Sequence, residues 1–143
     1  MSIAKILLAD DEKPFVETMS KRLQKRDIEV VAAYDGKEAL ARLAEDDGIV
    51  VVILDIKMPV MDGMTALSEI KRQFPLVEVI MLTGHATVET GIDGMKLGAF
   101  DYLMKPCDMD QLIAKVKEAV DRKRKQDQKI MEARVQAITL RRP

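Results

Sequence analysis

Four groups of polar residues each follow directly on a short apolar run. Asp10-Asp11-Glu12 follows ILLA, Asp55 follows IVVVIL, Thr83-Gly84-His85 follows VEVIML, and Lys105-Pro106 follows a run that ends in Leu103-Met104. Brought together, these residue types are suited to phosphoryl chemistry. Carboxylates gathered without compensation repel one another and are costly to desolvate, and a divalent cation resolves the conflict. Hard Mg²⁺, with Mn²⁺ as a substitute, takes oxygen ligands and is held by one or two carboxylates together with water and a phosphate. Zn²⁺ would want His or Cys, and the lone His85 and Cys107 do not make such a set. With a phosphoryl donor drawn in by the metal, Asp55 is the carboxylate that can attack phosphorus. Charge then spreads over the equatorial oxygens, where Lys105 can pair with one and the Thr83 hydroxyl can bond another. Lys105 precedes a proline, where a cis bond is permitted and would aim the lysine. Plainer roles stay open for each residue: Asp55 as a strand cap, Thr83 as a loop cap, Lys105 as a solvated strand-end lysine, and His85 as a loop residue lining the site without catalysis. All of them would have to hold at once.

The elements that must position these groups are legible as periodicities. Apolar runs at Ile6 to Ala9, Val30 to Ala33, Val50 to Leu54, Val77 to Leu82 and Ala99 to Leu103 predict five strands, and the β-branched run from Ile49 to Leu54 predicts one buried on both faces. Helical stripes lie between and after them: Phe15, Met19 and Leu23 behind Pro14; Ala39, Leu40 and Leu43; Ala66, Leu67 and Ile70; Val88, Ile92 and Met95; and Leu112, Ile113, Val116 and Val120. Strict alternation predicts an α/β fold, a flavodoxin-like (βα)5 doubly wound sheet of five parallel strands in the order 2-1-3-4-5. In such a sheet ligands bind outside the carboxyl ends of the strands, where the four polar groups stand. Pro59 and Asp62-Gly63 are turn residues that make Asp55 the first residue of an ordered loop. Gly91 and Gly94 lie inside the fourth helix, and each costs about 1 kcal/mol relative to alanine. They serve either close packing or an element that shifts at little cost.

A chain of 143 residues is long enough to bury an ordinary core as one domain. One cysteine excludes an internal disulfide, no apolar run approaches a membrane span, and the N-terminus lacks the pattern of a signal peptide. A cytoplasmic protein without membrane contact is expected. Of 23 lysines and arginines, eight lie from Asp121 onward against three of 24 acids, so a body of net −6 carries a tail of net +5. The sequence DRKRKQDQKIMEARVQAITL contains no Gly or Pro, and Met131, Val135 and Ile138 keep helical spacing. The fifth helix is therefore expected to extend past a domain at 1–122 into a basic helical segment at 123–143. That segment would act as a linker stub, a dimerising coiled coil or a frayed tail. Its basic residues read as a solvated face, so no direct DNA binding is expected from this chain.

The paired acids Asp10-Asp11, LDIKMPVMDG around Asp55, LTGHA at Thr83 and GAFDYLMKP ending in Lys105-Pro106 resemble the receiver domain of two-component response regulators, over about residues 3 to 122. LTGHATVETGIDGMKLGAFDYLMKP is most similar to receivers of the nitrogen-regulatory, enhancer-binding activator type. The resemblance implies Asp55 as phosphoacceptor and a Mg²⁺ site made by Asp10 (through water), Asp11, Asp55 and the Lys57 backbone carbonyl. It also implies Thr83 as the switch hydroxyl, Lys105 as the phosphoryl partner and Tyr102 as an aromatic that turns inward on activation. A sensor histidine kinase would be the donor. A homodimer through the face between the fourth and fifth helices, or through the tail, would be an output, with the downstream target unassigned.

Other classes fit the same residues less well. A metal-dependent phosphatase of the haloacid dehalogenase kind places a second Asp two residues after its nucleophile, where this chain has Lys57. Without that acid, water attacking an aspartyl phosphate lacks its proton acceptor, so the phosphate would persist as a signal and the protein would not be an enzyme beyond its own phosphorylation and slow dephosphorylation. A flavin carrier of this topology needs a Ser/Thr/Gly-rich phosphate loop after the first strand, where Asp10-Asp11-Glu12 would repel the phosphate. An unphosphorylated protein-interaction module would have no use for the complete acid set.

Overall fold

A computed structural model describes residues 2–141. Ten elements alternate along the chain: β1 (Ala4–Ala9), α1 (Lys13–Gln24), β2 (Ile28–Ala33), α2 (Gly36–Glu45), β3 (Ile49–Leu54), α3 (Gly63–Gln73), β4 (Glu78–Thr83), α4 (Val88–Lys96), β5 (Asp101–Met104) and α5 (Met109–Leu140). The strands are all parallel, in the order β2-β1-β3-β4-β5, as the alternation predicts.

Neighbouring residues of a central strand point to opposite faces, and both faces are covered. Leu8, Ile53 and Leu82 meet Val16 and Leu23 of α1 and Leu112 and Val116 of α5 on one side. Leu7, Val52, Leu54 and Met81 meet Leu43 of α2 and Leu67 and Ile70 of α3 on the other. This is why the strands read as unbroken apolar runs. Each fully buried Leu or Ile contributes about 2 kcal/mol of transfer free energy. Asp35, Asp62 and Thr87 start α2, α3 and α4 by accepting the amides of Glu38, Thr65 and Thr90, caps whose loss costs about 1 kcal/mol each.

Several expectations shift. The fifth strand begins at Asp101 rather than Ala99, because Gly98, at φ +104°, and Ala99, whose amide bonds Gly94 O, still close α4. The fourth begins at Glu78 rather than Val77 and runs to Thr83. The stripe Val88, Ile92, Met95 is helical but faces solvent, with Val88 83% exposed. The face of α4 turned to the sheet carries Gly91 and Gly94, where a Cβ on Gly94 would lie 3.5 Å from the Tyr102 ring. The glycine face of the helix lies against the aromatic ring.

α5 continues without a break across the expected boundary at 122. Its burial ends at Val120, and Met131, Val135 and Ile138 form the exposed apolar stripe anticipated for the tail. Met1 and the last two residues of that tail lie outside the described residues.

Candidate functional site

The parallel ladder runs one residue beyond the strands. The Asp10 amide bonds Ala33 O and the Asp55 amide bonds Ala9 O, each at 3.0 Å, which sets the two aspartates side by side over the carboxyl ends of β1 and β3. Both are buried, Asp10 at 1% and Asp55 at 3% exposure, with Asp11 exposed beside them. One carboxylate oxygen from each of Asp10, Asp11 and Asp55 lies within 4.8 Å of the others. Backbone amides fix the two buried acids: Glu12 N–H donates to Asp10 Oδ1 at 2.9 Å and Ile56 N–H to Asp55 Oδ1 at 2.7 Å. The Oδ2 atoms face the ammonium of Lys105, at 2.5 Å from Asp10 and 3.6 Å from Asp55, with Glu12 3.5 Å away.

Lys105 reaches this place because its amide bonds Thr83 O at 2.9 Å beyond the ends of β4 and β5; the Lys105–Pro106 peptide is cis. Burial works against its ammonium, but the hydrogen bond and charge of Asp10, with Asp55 and Glu12 behind them, outweigh burial and hold its pKa above the ordinary lysine value. Burial likewise pushes the Asp10 carboxyl up, against the hydrogen bonds from Lys105 and the Glu12 amide, and the Asp55 charge adds to the rise. Asp10, Asp55 and Glu12 share the single ammonium of Lys105, with the Asp11 carboxylate alongside, so the site has a surplus of negative charge. A hard divalent cation fits that oxygen donor set.

The loop after β3 is shaped by close approach. Gly63 N–H bonds Ile56 O at 2.6 Å, and a Cβ on Gly63 would sit 1.9 Å from the Asp55 carbonyl oxygen, so only glycine lets this turn close under the aspartate. Lys57 is exposed in the same loop. Thr83 is buried at the end of β4, and its hydroxyl accepts from His85 N–H at 3.0 Å. Tyr102 is half-buried one strand further on, its hydroxyl 2.6 Å from that of Thr90. Asp10, Asp11, Asp55 and Lys105 therefore form one cluster, with Thr83 joined to Lys105 through the backbone. Tyr102 is engaged with α4.

The family model described as the response regulator receiver domain matches residues 6–117. The chain belongs to this family. Among curated relatives, this receiver is 38% identical over 119 residues to the regulatory protein AtoC of Escherichia coli and 36% identical over 123 residues to a putative NtrX-like response regulator of Rickettsia bellii. The matches cover 83% and 85% of this chain but 26% of each relative, so the chain spans about a quarter of their length. A receiver domain protein from Clostridium thermocellum shares its fold with a TM-score of 0.81 and 40% identity, over 85% of this chain and 98% of that one. With NtrX-like and AtoC relatives, the resemblance to enhancer-binding regulators holds.

Three contacts of the receiver's site escaped the sequence. Glu12 was visible as an acid but not as a partner of Lys105. Phe15, the first apolar residue of the α1 stripe, lies with its ring centroid 4.0 Å from Lys105 Nζ. Thr90 sits in the α4 capping box and also holds Tyr102. Each joins residues distant in the chain, and no local spacing announces it.

Proposed function

We propose that this receiver is a phosphorylation-controlled switch that takes its phosphoryl group from a sensor histidine kinase onto Asp55. The observation that carries this reading is the pair of Oδ2 atoms on Asp10 and Asp55, both turned toward one lysine with Asp11 alongside. Asp10, Asp11, Asp55 and the Lys57 backbone carbonyl would hold Mg²⁺, which when bound supplies positive charge against the transferring phosphoryl group. Asp55 Oδ2 forms the bond to phosphorus as the bond from phosphorus to the donor's imidazole nitrogen breaks and its electron pair leaves with nitrogen. Lys105 meets one phosphoryl oxygen. The Thr83 hydroxyl, which accepts from His85 N–H, keeps its own proton to donate to another. Lys57 stands where a phosphatase would carry its general base, so hydrolysis is slow and the protein is not a turnover enzyme.

Movement of Thr83 toward the phosphate opens room into which Tyr102 turns, releasing Thr90 and the amino end of α4. Moving such an equilibrium from mostly off to mostly on takes about 5.5 kcal/mol of differential stabilisation, within reach of a dianion bonded to a metal, a lysine and a hydroxyl. The output in this reading is protein contact or self-association by residues 1–122 together with the tail at 123–143, in the cytoplasm. No described helix is long and apolar enough to cross a membrane.

Incubation with Mg²⁺ and acetyl phosphate, read by intact mass, should add one phosphoryl group, and Asp55→Ala should add none. Retention of the mass gain in Asp55→Ala would overturn the assignment. Light scattering on the same samples tests the tail: the exposed stripe Met131, Val135, Ile138 predicts a mass above monomer that Val135→Asp lowers, and a monomeric mass in both states would exclude self-association.

A further inference from the structure

Lys105 has carboxylates on one side and an aromatic face on the other. Its Nζ lies 4.0 Å from the Phe15 centroid, against 5.4 Å for Lys13 over Tyr34 and 5.1 Å for Arg122 over Phe100. The lysine side chain is 17% exposed, so the contact is largely withdrawn from water, where such an interaction is strongest. Phe15 is itself held in place: it packs against the core of α1 and α5 residues just after Pro14, in the first turn of α1.

We infer that Phe15 is a positioning residue for phosphoryl transfer, holding the Lys105 ammonium over the site through its ring face. This rests on the reading of Lys105 as the phosphoryl partner. An ammonium has three N–H donors and no acceptor, and any hydrogen-bonding partner that fixed it would occupy one of them. The ring attracts the charge through its quadrupole without consuming a donor in a fixed direction. Lys105 can then pivot from Asp10 Oδ2 toward an incoming phosphoryl oxygen while its position stays set. The same ring and lysine line one end of a cavity of about 550 Å³ between α1 and the loop after β5, with Met19, Arg22 and Cys107.

The test replaces Phe15 by phenylalanines carrying one, two and three ring fluorines, which drain the quadrupole while nearly keeping the shape, and adds Phe15→Tyr and Phe15→Leu. The rate of phosphorylation by acetyl phosphate should fall stepwise with fluorine number, to about a third to a tenth for the trifluoro ring and for Leu, with Tyr near the parent. A flat series, or Leu equal to Tyr, would overturn the inference. A second readout needs no phosphate: the Lys105 ε-methylene protons should be shifted upfield by the ring current, and the shift should vanish in Phe15→Leu. If the parent chain takes up no phosphate, the phosphoacceptor reading fails. The ring-current shift then still decides whether Phe15 holds the ammonium, and its absence overturns the inference in either case.

Discussion

The two ends of the sheet bury the same kind of charge and settle it in opposite ways. At the carboxyl end, Asp10 and Asp55 are buried beside Asp11 and share one ammonium. At the amino end, Glu78 opens β4 fully buried, with Lys71 Nζ of α3 at 3.5 Å and the guanidinium of Arg122 of α5 paired with it through Nε. Lys71 also donates to the carbonyls of Pro75 and Val77, and Arg122 lies over the Phe100 ring. One carboxylate has two cations there, so the end is closed and structural: it ties α3, β4 and α5 together where the long helix leaves the body. The carboxyl end is short of positive charge, and its carboxylate oxygens could hold a metal. Burial of an acid is therefore not in itself the mark of a functional site; an unbalanced cluster is.

The largest effect that would break this contrast is metal withdrawal. Chelating divalent cations should lower phosphoryl uptake from acetyl phosphate by about two orders of magnitude or more. Mg²⁺ at a hundred times its dissociation constant should raise the unfolding free energy by about 2.7 kcal/mol. Uptake that survives chelation, or a melting curve indifferent to Mg²⁺, would mean that the carboxyl end is balanced without a metal.

Next in size is Glu78→Ala, which leaves Lys71 and the half-exposed Arg122 without their carboxylate and should cost about 2 kcal/mol in denaturant unfolding. Mg²⁺ stabilisation should be unchanged in this variant, since the two ends share no partner. Replacing all three residues by Leu and Met should stay within about 1 kcal/mol of the parent, because a buried carboxylate with its ion partners is often no better than apolar packing. If the single change is harmless, the amino end is not held by its charges.

These contrasts mark what the sequence could reveal. Asp10 and Asp55 were legible because each ends an unmistakable buried run, and the ladder that aligns them follows from parallel topology. Glu78 sat in plain view inside such a run, but its partners come from α3 and α5, and no local pattern joins them. The α4 stripe was read correctly as helical but not as outward-facing, because the side of α4 that meets Tyr102 carries Gly91 and Gly94, which add nothing to an apolar pattern. Phe15 carries the spacing of a core residue, which it partly is, and only the tertiary fold sets its ring over Lys105.

The smallest effect concerns backbone strain, which divides the ends in the same way. Among the described residues each holds one non-glycine residue with positive φ: Asp27, at +63°, in the turn before β2, and Val60, at +68°, in the loop that follows Asp55. Aspartate visits this conformation readily, whereas a β-branched side chain crowds its own backbone there. Val60 is 77% exposed, so replacing it removes little packing. Val60→Asn should therefore stabilise the protein by about 1 kcal/mol, while Asp27→Asn should leave stability nearly unchanged. Equal responses at the two positions would show that the site loop is no more strained than an ordinary turn. A gain at Val60 accompanied by slower phosphoryl uptake would show more: that the strained valine helps hold the Lys57 carbonyl and the turn at Gly63 in the arrangement the aspartate needs.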